Sequence, residues 1–77
     1  MVFKKFTLTN GAVVYLRQGI TMCDVVTSGH EGLEFNQFNM SSPEMRTLLD
    51  NIQRDTVVTS HQEEWEQVYE LFVKLNT

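Results

Sequence analysis

Phe6-Thr7-Leu8-Thr9-Asn10-Gly11-Ala12-Val13-Val14-Tyr15-Leu16 organises the rest of the chain. Two apolar and β-branched runs flank Asn-Gly, a dipeptide that accepts φ > 0 at both positions and so favours a two-residue type I′ hairpin. A loop of that length sets Thr9 opposite Ala12, Leu8 opposite Val13, Phe6 opposite Tyr15 and Lys4 opposite Arg17. Phe6, Leu8, Val13 and Tyr15 then form one apolar and aromatic face. Lys4 and Arg17 end it in a like-charge pair, which is mildly unfavourable unless it meets an anion.

Working outward, Gln18-Gly19 reads as a turn and Ile20 to Thr27 as a third strand. Ile20, Met22, Asp24 and Val26 share one of its faces; Thr21, Cys23, Val25 and Thr27 share the other, so both faces are partly covered. Ser28 to Gly32 is a turn, and Leu33 to Phe38 alternates as a fourth strand. Ser41-Ser42-Pro43-Glu44 is a helix start: Ser41 caps, Glu44 reaches back and Pro43 stands where its missing N–H costs nothing. The helix is expected over Ser41 to Arg54. Its Met45, Leu48, Leu49 and Ile52 span about 100° of the wheel, and Arg46 and Asp50 form an i, i+4 pair outside. Thr56-Val57-Val58-Thr59 is a last strand. Ser60-His61-Gln62-Glu63 opens a final helix through Leu75, whose Trp65, Val68, Tyr69, Leu71, Phe72, Val73 and Leu75 cover about 200°. The expected fold is α+β, a small antiparallel sheet packed by two helices in the order ββββαβα.

A chain of 77 residues, 42% of them apolar, with net charge −4, allows one small folded domain, residues 1–77, and excludes a disordered chain. A core of that size is marginal, which favours self-association as a dimer or higher homo-oligomer. The lone Cys23 rules out an internal disulfide and a zinc site built on paired cysteines, and fits a reducing compartment. The longest apolar run, Ala12 to Leu16, is far short of the ~20 residues of a membrane helix, and Met1 to Leu16 contains no apolar signal core. A cytoplasmic protein without membrane contact is expected. Charge is polarised: residues 1 to 23 hold Lys4, Lys5 and Arg17 with no acid, and the remainder holds all ten acids against Arg46, Arg54 and Lys74. Three cations make no phosphate track, so duplex nucleic acid is not an expected partner.

Two segments resemble a known family. F-T-L-T-N-G-A-V-V-Y-L-R-Q-G-I-T-M-C-D-V-V, from Phe6 to Val26, resembles the first hairpin and third strand of short flagellar-operon proteins of the swarming-motility (SwrD or FlbD) type. T-V-V-T-S-H-Q-E-E-W-E-Q-V-Y-E-L, from Thr56 to Leu71, is similar to the end of that pattern, a Val-rich strand running into a Ser-capped, Glu-rich helix. Together they cover about half of the chain, which departs from the pattern by its helix at Ser41 to Arg54. The resemblance implies a small antiparallel sheet with a C-terminal helix and a flagellar or structural accessory role; it brings no catalytic residues.

Candidate chemistry is sparse. His30, His61 and Cys23 lack metal-ligand spacing, and His61 to Trp65 is not H-E-x-x-H. Cys23 lies mid-strand, where a reduced cysteine is a small core hydrophobe. Glu63, Glu66 and Glu70 share the polar face of the last helix as a solvated acidic surface, and Gly29 and Gly32 frame a turn rather than a phosphate loop. Neither catalytic residue, metal nor cofactor is therefore assigned. Two binding surfaces remain. Trp65, Tyr69, Phe72, Leu71 and Leu75 on the final helix would anchor a protein partner, because aromatic residues dominate binding hot spots. Lys4, Lys5, Arg17 and Tyr15, with Phe3 and Phe6, would hold a nucleotide or other small anion where subunits meet, or else guard a strand edge. The first points to a non-enzymatic inhibitor or adaptor of the anti-host or anti-defence kind found among phage-encoded proteins, the second to a homo-oligomer that sequesters an anionic ligand.

Overall fold

The first hairpin forms where the Asn-Gly signal places it, but with a longer loop. In the computed structural model, which describes residues 1–51, 58–59 and 62–77, strand β1 (Val2–Thr7) pairs antiparallel with β2 (Val13–Gln18). Leu8 N–H donates to the Ala12 carbonyl at 2.8 Å and Gly11 N–H to the Leu8 carbonyl at 3.0 Å, so Thr9-Asn10-Gly11 is a three-residue loop. Gly11 takes φ +91° and, among the described residues, no non-glycine residue has positive φ, which excludes type I′ here and leaves a loop closed by one left-handed glycine. Asn10 instead accepts the Ala12 N–H on Oδ1 at 3.0 Å.

That extra loop residue shifts the expected register by one. Phe6 faces Val14, Lys5 faces Tyr15, Lys4 faces Leu16 and Phe3 faces Arg17. Because side chains alternate, a one-residue slip moves the whole of β2 to the other face. Phe6, Leu8, Val14 and Leu16 share one side of the sheet; Phe3, Lys5, Val13, Tyr15 and Arg17 share the other. The expected patch of Phe6, Leu8, Val13 and Tyr15 is thus divided, and Lys4 does not stand opposite Arg17.

β3 (Met22–Gly29) starts two residues later than expected, because Gly19 N–H closes a turn on the Met22 carbonyl at 2.9 Å and leaves Ile20 99% exposed. Its Cys23, Asp24, Val25 and Val26 are all buried, as a strand covered on both faces requires. β4 (Gly32–Asn39) follows the His30-Glu31 turn, where Gly32 takes φ +111°. α1 (Pro43–Asp50) is capped by Ser42, whose hydroxyl accepts the Met45 N–H at 3.1 Å, with Pro43 in the first turn. Ser41, the expected cap, instead binds the Asn39 side chain with its N–H and hydroxyl. Asn51 ends the helix; Ile52 to Arg54 of the expected span lie outside the described residues. β5 (Val58–Thr59) pairs antiparallel with β1 at Lys5 and Lys4. α2 runs over Gln62–Leu75, and its expected cap Ser60 lies outside the described residues, as do Thr56, Val57 and His61.

The strands make one antiparallel sheet in the order β4-β3-β2-β1-β5, with the two helices on opposite faces. On one face Met45 of α1 closes a cluster with Phe6, Val14, Leu16, Cys23 and Val25, flanked by Leu8, Phe38, Met40 and Leu48. Leu49, expected in the same stripe, is 49% exposed. α2 crosses the other face. The order ββββαβα and the α+β class hold. Among the described residues no helix is long and apolar enough to cross a membrane.

Candidate protein-binding face

The path of α2 follows from three contacts. Glu64 pairs with Lys5 of β1 at 3.0 Å, Trp65 lies on Arg17 of β2, and Tyr69 and Phe72 meet Phe35 of β4 at ring-centroid distances of 5.2 and 5.8 Å. The helix therefore crosses the strands from β1 towards the outermost strand, β4. Trp65 and Tyr69 stack at 5.1 Å and 15°, which extends the aromatic row along the helix.

Under that row lies a line of polar residues in direct cross-strand register, Arg17, Asp24 and Gln37. Arg17 Nε donates to Asp24 Oδ2 at 2.9 Å with Nη2 on the same oxygen, and Gln37 Nε2 donates to Asp24 Oδ1 at 2.8 Å. The carboxylate is buried and has all of its charge answered. The Arg17 guanidinium lies 4.2 Å from the Trp65 ring centroid, a cation–π contact that joins this line to the helix. Lys5 is held similarly, by Glu64 and by the Tyr15 ring at 5.5 Å; its hydrogen bond to Glu64 raises its pKa above the ordinary lysine value.

These contacts redistribute the expected binding residues. Trp65 is 1% exposed, so it is an internal anchor of α2 and presents nothing to a partner. Its indole Nε1 is buried with no hydrogen-bond partner among the described residues. Tyr69 and Phe72 are half-buried on Phe35, whereas Leu71 and Leu75 are exposed at 49% and 64%, with Val73 at 40%. The 200° arc is two surfaces: Trp65, Val68, Tyr69 and Phe72, spaced i, i+3, i+4, i+7, lie on the sheet, and Leu71 and Leu75, spaced i, i+4, remain outside. The spacing contains that division, and the total width of the arc obscured it. Glu63, Glu66 and Glu70 are exposed, the solvated acidic face expected of them.

Of the proposed anion-binding set, Lys5, Tyr15 and Arg17 come together on the α2 face, while Lys4 stands on the other. Lys5 and Arg17 each already have a carboxylate. Exposed residues missed by sequence reasoning are Ile20, Met1 and Val2, which border an open depression of about 400 Å³ beside Gly19. Assigning Ile20 to a strand concealed it. Cys23 is wholly buried, and desolvation, reinforced by the Asp24 charge, pushes its thiol up to about 11. His30 is exposed in a turn, and no cluster of His, Cys, Asp and Glu suited to a metal occurs among the described residues. Comparison with protein-family models, with curated proteins and with solved structures returned no match to this chain.

Proposed function

We propose that the chain is a non-enzymatic protein-binding module, an inhibitor or adaptor of the anti-host or anti-defence kind that masks a macromolecular partner in the cytoplasm. The carrying observation is the outer side of α2, where Leu71 and Leu75 remain exposed after the inner row has packed on the sheet. Apolar side chains one turn apart, beside the half-buried rims of Tyr69 and Phe72, are the elements of a helix-face contact. The exposed Glu63, Glu66 and Glu70 elsewhere on the same helix favour a partner with basic groups at the rim, where charge steers encounter. A nucleotide or other small anion would have to displace Glu64 from Lys5 and Asp24 from Arg17, which makes the sequestering alternative the less economical one.

The test is a Leu71→Asp/Leu75→Asp double variant compared with wild type as bait in host lysate, followed by titration of the purified captured protein. Loss of at least tenfold in affinity, with unchanged thermal unfolding, is the expected result. Equal affinity in a folded variant removes these leucines from the interface.

A further inference from the structure

The two long edges of the sheet are treated differently. β1 carries Lys4 and Lys5 and is covered at those positions by β5. Lysines on an edge and a short covering strand are two standard obstacles to strand addition. β4, at the other end of the order, has no strand on its outer side among the described residues. It is eight residues long, Gly32-Leu33-Glu34-Phe35-Asn36-Gln37-Phe38-Asn39, and pairs residue for residue with β3 from end to end without a bulge. It has neither lysine nor proline, and its single charge is Glu34. This edge lacks the features that keep strands apart.

We infer that β4 is the interface between two copies of this chain, joined antiparallel across a two-fold axis at Phe35 into one continuous sheet. A two-fold pairing must match the strand to itself. Centred on Phe35, it sets Leu33 opposite Gln37 and Glu34 opposite Asn36, so each copy's only β4 charge meets a neutral amide donor. Centring it one residue earlier, on Glu34, would place the two carboxylates in opposition, which sheets disfavour. A core of eight buried apolar side chains among the described residues is small for an isolated domain and gains most from a second copy. This inference goes beyond the partner surface on α2. Because α2 runs towards β4, the dimer would bring both Leu71/Leu75 pairs to its central junction and make them one bivalent surface.

Sedimentation equilibrium from micromolar to millimolar chain, on wild type, Asn36→Lys and Asn36→Glu, tests the pairing. Each substitution acts twice across the two-fold. Asn36→Lys faces the partner copy with a cation opposite Glu34 and should tighten the dimer roughly fivefold; Asn36→Glu should loosen it by about the same factor. Hydrogen exchange on wild type provides a readout free of mutation: the outward-facing amides of Leu33, Phe35 and Gln37, which alternate with those bonded to β3, should gain protection as concentration rises. A wild-type chain that stays monomeric at millimolar concentration overturns the inference. So do a dimer weakened equally by both Asn36 substitutions, which indicates another register, and a β4 whose exchange ignores concentration. The uncharged Leu71→Ala/Leu75→Ala variant, which brings no like charges to the junction, separates the two readings: it should dimerise as wild type does while losing the macromolecular partner. Loss of the dimer in that variant would move the self-interface to α2 and overturn pairing through β4.

Discussion

At the scale of single residues, burial decides what each reactive group can do. Cys23 is wholly enclosed beside Asp24, and both the low-polarity surroundings and the neighbouring carboxylate oppose a thiolate. A thiol held near 11 in the fold, against 9.0 for the free group, favours the folded state fully below pH 9 and loses that contribution as pH rises from 9 to 11. Urea unfolding across that window should show stability falling with pH in wild type, and Cys23→Ala should remove that part of the slope. Alkylation of native protein at pH 8 should be slow and become fast on unfolding. That Cys23 is a core residue was legible from its position in a β-branched run. The part played by Arg17 was not, because Trp65 and Asp24 reach it only after α2 has crossed the sheet; read alone, it resembled a hook for an anion.

Within elements, one loop residue sets the faces of two strands. Gly11 supplies the positive φ, and a Cβ placed there would touch nothing within 4 Å, so a substitution is resisted by the backbone alone. Gly11→Ala should cost about 1–2 kcal/mol, the penalty for an L-residue in the left-handed region. Asn10→Gly should also destabilise, since it removes the Oδ1 acceptor for the Ala12 N–H and increases unfolded-chain freedom. Denaturant titration of both variants checks these losses. The hairpin itself was readable in Asn-Gly, but the loop length was not, because Asn-Gly serves both a two-residue turn and a three-residue loop with a terminal glycine. Ser41 and Ser42 pose a similar choice. The cap went to Ser42 because Asn39 already engages Ser41.

For the whole molecule, α2 has two energetically different sides. Stabilities of roughly 4–12 kcal/mol are usual at this length, so removing an enclosed aromatic is severe: Trp65→Ala should cost about 3–5 kcal/mol and bring the fold near its limit. Leu75→Ala should stay within about 0.5 kcal/mol, as expected of an exposed position. Thermal and urea unfolding of the pair checks the division of α2 into an inner and an outer surface, and comparable losses from both would contradict it. The sequence by itself determined the order of strands and helices, the antiparallel class, and the presence of apolar positions on α2 beyond those of one packing face. These depend on local periods and caps, which neighbouring residues set. The tertiary structure decided the register of β1 on β2, and with it which cations meet which carboxylates. It also decided that Trp65 is an anchor within the fold while Leu71 and Leu75 remain outside. Those outcomes depend on a loop closing one residue longer and on the path of a helix across a sheet, and both are settled by contacts between residues far apart in the chain.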